Sequence, residues 1–345
     1  MQHLIYKNTN FFPSGFTKSL LHTGDLFLDI ETTGLSKDRS RIYLIGFAHY
    51  TGGSDFSLHQ LFAERISEES AILSEFMEFL AQADIRRIIT FNGLRFDLPF
   101  LNARAKSYDF NLNILTYEQL DIYKECHRRK ELLQLINYKQ KTIETFLGID
   151  RADPYSGGEL IRVYEHYAKA PTEDAAHMLL LHNYEDVLNM HRLLDVFAYD
   201  RLFSEEAAVT STTIEDFPQL DGKLAQELIV TLRAPVELPG ELSIRHPVTD
   251  VYMHIKDSVV RTRIPLYDHM ARLYFSDYKN YYYLPAEDMA IHKSLAMCID
   301  SAHKQKATPD TCYARVTVDD AFLCSDQLTE FMTHTLRSFL PKALR

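Results

Sequence analysis

The chain has no tryptophan, only four cysteines and no excess of positive charge among its 345 residues. Cys126, Cys298, Cys312 and Cys324 lie too far apart to build a CxxC zinc knuckle. With no apolar secretory segment at the start, the expected compartment is a reduced cytoplasm. A net charge of −11, from 37 Lys and Arg against 48 Asp and Glu, excludes a basic shell that would grip duplex nucleic acid nonspecifically. Apolar runs are short: Met178–Leu181 falls far below the roughly 20 residues that cross a bilayer, so no membrane anchor is expected. There is no internal repeat or low-complexity tract. What is present is a 46% hydrophobic content that fills a sizeable core, and 20 Tyr with 21 Phe that supply core volume and stacking surfaces.

Alternation over Asp25–Glu31, closed by Thr32-Thr33-Gly34, predicts a strand and turn; Arg41–Tyr50 and Asp55–Phe62 predict two more strands of an antiparallel meander. Ile72, Leu73, Phe76, Phe79 and Leu80 are spaced for a helix, with Ser67 its candidate N-cap. Arg87–Phe91 predicts a fourth strand, followed by a helix from about Asp97 to Ala105, a short helix over Lys141–Leu147, a turn-rich loop over Asp153–Gly158, and helices over Glu159–Lys169 and Glu173–Phe197. A strand meander followed by alternating strands and helices points to an α/β mixed sheet with flanking helices. Periodicity weakens over Ser204–Pro218, so the expected division is a domain over 1–203, a linker over 204–218 and a smaller α+β accessory domain over 219–345, with a helix over Glu287–Lys304.

The carboxylates carry the chemistry. Asp29 and Glu31, one residue apart on a strand, share a face, and two like charges held together call for a compensating cation. Mg²⁺ or Mn²⁺, which take oxygen ligands, supply it. Asp97 follows a predicted strand in Phe91-Asn-Gly-Leu-Arg-Phe-Asp97; it reads either as the cap of the next helix or as a further metal ligand, and Asn92 as an Asx turn or a substrate contact. His182 and Asp186, four apart, share a helix face, whereas Glu185 points about 100 degrees away from Asp186.

Asp29-Ile-Glu31-Thr-Thr-Gly34, Asn92-Gly-Leu-Arg-Phe-Asp97 and His182-Asn-Tyr-Glu-Asp186 together resemble the DEDD superfamily of 3′-5′ exonucleases, and within it the YprB-like branch. The resemblance covers about Asp25–Leu194. It implies a ribonuclease H-like fold, two divalent ions held by Asp29, Glu31, Asp97 and Asp186, and hydrolysis of a single-stranded DNA or RNA end to nucleoside monophosphates; Thr32, Thr33, Gly34, Leu35 and Asn92 are the candidates to hold the terminal nucleotide, with Gly34 reading otherwise as a turn residue and Leu35 as core. The histidine branch of that superfamily places its general base five residues before the last Asp, at Leu181 here, and the tyrosine branch places Tyr four before it. This chain puts His182 at the four-residue interval, so His182 is the expected base and Tyr184 is expected to pack. Two other readings use the same residues: a nonhydrolytic binding or regulatory module that keeps the fold, and a hydrolase of short oligonucleotides. Arg39, Arg41, Arg95, the Cys126–Lys130 cluster, His303–Lys306 and Tyr281–Tyr283 are candidate surfaces for a strand, although three adjacent tyrosines cannot all share one face.

Overall fold

The computed structural model describes residues 1–7, 11–53, 55–218 and 224–344. They divide into two units, Met1–Lys130 with Leu135–Val196, and Glu131–Gln134 with Phe197–Arg345. Along the first part of the chain run β1 (Gln2–Lys7), α1 (Gly15–Leu20), β2 (Asp25–Thr32), β3 (Ile42–Gly52), β4 (Asp55–Phe62), α2 (Glu69–Gln82), β5 (Arg87–Thr90), α3 (Asp97–Lys106), β6 (Glu118–Asp121), α4 (Ile122–Arg128), α5 (Lys130–Leu133), α6 (Gln140–Phe146), α7 (Gly157–Tyr167) and α8 (Glu173–Leu193). The sheet order is β1-β4-β3-β2-β5-β6, in which β1, β4, β3 and β2 pair antiparallel and β5 and β6 are added in parallel.

β2 is central because both of its faces are covered. Leu26, Leu28 and Ile30 join Ile45 and Phe47 of β3 against Ile72, Leu73 and Phe76 of α2 and Leu98 and Leu101 of α3. On the opposite face Tyr43, Leu44 and Phe62 pack on Leu160, Tyr164 and Tyr167 of α7 and Leu179 of α8. Asp29 and Glu31 alternate with the first set and therefore face α8. Glu69, fully buried, ties α2, α3 and β3 together: it accepts from the Arg104 guanidinium at 2.7 Å on each oxygen, from the Ile42 N–H at 2.8 Å and from the Tyr108 hydroxyl at 2.8 Å. Ser67 is not the cap of α2, because Ile66–Glu68 is a 3₁₀ turn running directly into the helix.

The second unit contains α9 (Ala198–Ser204), β7 (Ala208–Pro218), β8 (Leu224–Arg233), β9 (Leu242–Arg245), β10 (Tyr252–Lys256), β11 (Val259–Leu266), β12 (Met270–Tyr274), β13 (Tyr281–Leu284), β14 (Met289–His292), β15 (Gln305–Lys306), β16 (Tyr313–Thr317), α10 (Asp320–Leu323) and α11 (Asp326–Ser338). Its five-stranded sheet, ordered β7-β8-β11-β10-β9, is accompanied by a two-stranded and a three-stranded sheet. Two expectations are corrected here. Ser204–Pro218 is not a linker: it carries the long edge strand β7, whose run of Val, Thr and Ile suits a pleated backbone while its exposure on both faces erases the alternation that would have marked it. Glu287–Lys304 is not a helix. Asp288, at φ +50°, turns the chain so that Met289–His292 pairs antiparallel with Tyr281–Leu284, and the rest forms short 3₁₀ turns. Tyr281 and Tyr283 pack in a small cluster with Ala290, Ala307 and Cys312, whereas Lys293 and Lys304 approach the ring of Tyr282 at 5.6 and 5.2 Å. Among the described residues no helix is long and apolar enough to cross a membrane.

Candidate metal centre

The position of Asp97 follows from strand lengths. β5 pairs with β2 only as far as Leu28↔Thr90, which leaves the next stretch of β2 without a neighbour on that side. Asp97 fills the gap: its Oδ1 accepts the Ile30 N–H at 3.0 Å. It is the first residue of α3 and not its cap, since Phe96 holds the N-cap position, so the capping role weighed from sequence does not apply. The loop before it is set by Asp121 at the end of β6, which accepts the backbone N–H groups of Asn92 at 2.9 Å and Leu94 at 3.2 Å. Asn92 sits at φ +65°, and a Cβ on Gly93 would fall 2.4 Å from Thr90 Cβ, so the turn admits little but this sequence.

α8 delivers the remaining groups. Asn183, fully buried, donates from Nδ2 to Asp29 Oδ2 at 2.9 Å and accepts from Gln60 Nε2 at 2.9 Å. Its amide fits because Gly46, opposite Asp29 in the β2–β3 ladder, has no side chain: a Cβ there would lie 2.0 Å from Asn183 Oδ1. His182 Nε2 stands 3.2 Å from Asp186 Oδ2 and 3.5 Å from Glu31 Oε1. Glu31, His182 and Asp186 each offer a ligand atom within 4.8 Å of the others. Tyr184 packs edge-on against Tyr6 with ring centroids 4.9 Å apart and does not line the cleft.

The segment Arg151–Asp153, between α6 and α7, clamps this turn of α8. Arg151 pairs with Asp186, Glu144 and Asp153, and its Nη2 reaches the His182 carbonyl at 3.3 Å. Asp153 Oδ2 meets His182 Nδ1 at 2.6 Å. Glu185 returns the hold by accepting the backbone N–H groups of Ala152 and Asp153 at 2.8 and 2.9 Å. None of Arg151, Asp153, Asn183, Gly46 or Asp121 was found from sequence. Arg151-Ala-Asp153 before Pro154 showed only as the edge of a turn-rich loop, and no spacing rule links it to α8.

Burial and mutual repulsion push these carboxyls up. Asp29 is held well above the ordinary carboxylate range, first by burial and then by Asp186, Asp97 and Glu31. Burial raises Glu31 to about 7, with His182 opposing the rise and Asp186 and Asp97 adding to it. Asp97 is also raised to about 7 by burial, against the pull of the Ile30 N–H. Buried oxygen donors that resist ionising together are the donor set a divalent cation stabilises, so Asp29, Glu31 and Asp97 fit such an ion, and the Asp186 carboxylate beside His182 and Arg151 adds a further oxygen donor.

These groups line one side of a cleft of about 600 Å³, whose other walls include Phe91, Asn92, Phe96, Tyr123, Tyr138, Lys139 and Gln140. Of the expected nucleotide-holding residues only Asn92 lines it. Thr32 spends its hydroxyl on the Gly34 carbonyl at 2.8 Å, Thr33 accepts the Arg41 N–H at 2.9 Å, and Leu35 is 83% exposed beyond the strand end. Of the candidate basic residues, Arg41 approaches buried Glu69 at 3.4 Å, and Arg128 and Arg129 pair with Glu125.

A family model of the RNase H superfamily matches residues 26–198, from β2 to just past α8. The chain belongs to this RNase H-like nuclease superfamily. It is similar to the uncharacterised protein YprB of Bacillus subtilis (strain 168), with 26% identity over 186 residues that cover 51% of this chain and 41% of that protein. The chain thus spans well under half the length of that relative. Solved structures with similarity include the family B DNA polymerase of the archaeon Pyrobaculum calidifontis, at 16% identity and a TM-score of 0.43 over 52% of this chain and 25% of that one. Brucella melitensis NrnC is similar at 18% identity and a TM-score of 0.30, over 50% and 70%.

Proposed function

We propose that the protein is a divalent-metal-dependent 3′-5′ exonuclease that hydrolyses the terminal phosphodiester of a single-stranded DNA or RNA and releases nucleoside monophosphates. The observation that carries this reading is the convergence of Asp29, Glu31, Asp97 and Asp186, from β2, α3 and α8, on one cleft that also has aromatic walls. Asp29, Glu31 and Asp186 would hold one Mg²⁺ or Mn²⁺ and Asp29 with Asp97 a second; such ions, when bound, acidify water and stabilise charge on phosphoryl and leaving oxygens. Asn183 keeps Asp29 oriented through its amide, and Arg151 keeps Asp186 oriented through its guanidinium. His182 presents Nε2 to the cleft, where it accepts the proton of the attacking water. Tyr123, Tyr138, Phe91 and Phe96 offer stacking faces to unpaired bases, and exposed Lys139 a charge for the backbone. Asn92, which lines the cleft, would meet the terminal sugar.

The test is digestion of a 5′-labelled single strand in Mg²⁺ or Mn²⁺. A descending ladder is expected, with chelator stopping it and a circular single strand left intact. Immediate release of labelled mononucleotide would reverse the polarity, and cutting of the circle would remove the exonuclease assignment. Asp29→Asn, nearly isosteric, is expected to abolish most turnover while leaving the circular dichroism spectrum unchanged.

A further inference from the structure

One nitrogen of the His182 ring is already committed. Nδ1 lies 2.6 Å from Asp153 Oδ2, and both residues are buried. The same carboxylate receives Lys141 Nζ at 2.8 Å and Arg151 Nη2 at 3.2 Å on Oδ2, and the Tyr155 backbone N–H at 3.0 Å on Oδ1. Burial opposes its charge, yet the bonds from Lys141, Tyr155 and His182 prevail and keep the carboxyl below the ordinary range. An ionised carboxylate accepts hydrogen bonds and donates none, so its partner at Nδ1 has to be an N–H. The second ring nitrogen is left to face the cleft. That nitrogen, Nε2, is the one that faces Asp186 at 3.2 Å and Glu31 at 3.5 Å.

We propose that Asp153 is a positioning residue that holds the His182 ring by its Nδ1–H and so turns Nε2 to the cleft. The catalytic consequence rests on the exonuclease reading above. In that reaction a water proton passes to Nε2 as the water oxygen bonds to phosphorus, the bond from phosphorus to the 3′ oxygen breaks, and the departing 3′ oxygen takes a proton from solvent. Asp153 neither gains nor loses a proton in this cycle and does not line the cleft. It acts through the ring alone, in the way a buried carboxylate holds an imidazole for a nucleophile. The anchoring is not left to one bond: Lys141 and Arg151 keep the carboxylate in place and Glu185 keeps its backbone in place. If Asp153 served packing alone, its replacement by an amide of the same shape would be nearly silent.

Asp153→Asn separates the two. An amide can turn its NH₂ toward Nδ1, which then has to accept, and the proton is driven to Nε2. The experiment uses the full-length protein labelled with ¹⁵N-histidine, at pH 8 with saturating Mg²⁺ and no substrate. Long-range ¹H–¹⁵N spectra read which ring nitrogen carries the proton, and the His182 signals are assigned by their loss in His182→Gln. The expected wild-type result is a proton on Nδ1, lost from that nitrogen in Asp153→Asn. A wild-type ring whose Nδ1 carries no proton overturns the proposal even if Asp153→Asn does not fold. In a second arm, single-turnover digestion by Asp153→Asn is expected to slow by roughly 10²-fold or more, the scale of a lost general base, while Mg²⁺ affinity by calorimetry stays near the wild-type value. Wild-type rates in that variant also overturn it. Because the spectra need no substrate, a protein that digests nothing but shows the expected Nδ1 proton sinks the exonuclease reading and leaves the positioning of His182 standing.

Discussion

Glu31 and Asp97 are carboxyls that the fold holds at about 7, against ordinary values near 4. Between those limits the native chain binds more protons than the unfolded one, so stability is fully present below the unfolded values and is lost as pH rises through the folded ones. In chelator, the melting temperature is therefore expected to fall from about pH 4.5 to 7.5. Added Mn²⁺ should reverse the loss and release protons into a weakly buffered solution. Asp97→Asn, which has no proton to lose, should flatten the chelator slope. A slope that is the same with and without Mn²⁺ and in the variant would mean that these carboxyls are not what titrates. Asp29 with Glu31, and His182 with Asp186, were legible because the strand and helix periods put each pair on one face, whereas Asp97 and the meeting of the three elements at one site were implied only by the resemblance of their motifs. Asn183, Gly46 and Asp121 were not, since each matters only through what it touches across the fold: an amide against Asp29, an empty position beside it, and an acceptor for the Asn92 N–H.

At the level of elements, α8 and the Arg151–Asp153 loop fix one another. Removing the acceptor in Glu185→Ala leaves the Ala152 and Asp153 N–H groups without their bonds, each a charge-assisted contact of roughly 1.5–3 kcal/mol when buried and less at this partly exposed side chain. Amide hydrogen exchange at those two residues is expected to speed up by about tenfold or more, with a smaller loss of turnover than in His182→Ala. Unchanged exchange would show the loop held by Arg151 and Lys141 without Glu185. The helices and the buried strands were readable because one-sided burial leaves a period in the sequence. β7 and β14 were not: the first is exposed on both faces, and the second owes its state to its partner β13.

For the whole molecule, the division falls at Val196/Phe197, earlier than the weak periodicity at Ser204 suggests, because α9 packs against α11 within the second unit. That unit also claims Glu131–Gln134, from the middle of the first unit's sequence. A fragment over residues 1–203 therefore keeps Leu132 and Leu133, buried at 1% and 3% exposure in the intact chain, with no more of their unit than Phe197–Phe203. At roughly 1.5–3 kcal/mol per exposed Leu, the fragment is expected to melt about 10 °C below the full chain. Replacing both leucines by serine should destabilise the full chain and leave the fragment's melting temperature unchanged; equal losses in both would place the leucines in the first unit. The intact fragment is also expected to digest long strands less well.

The interleaving of the two units also bears on how the chain is made. Synthesis delivers Glu131–Gln134 well before Phe197 and the rest of the second unit. At roughly 5–20 residues per second, the interval from Gln134 to Phe197 lasts several seconds. During that time the nascent first unit can close its sheet while most of the unit that includes Leu132 and Leu133 has yet to be made.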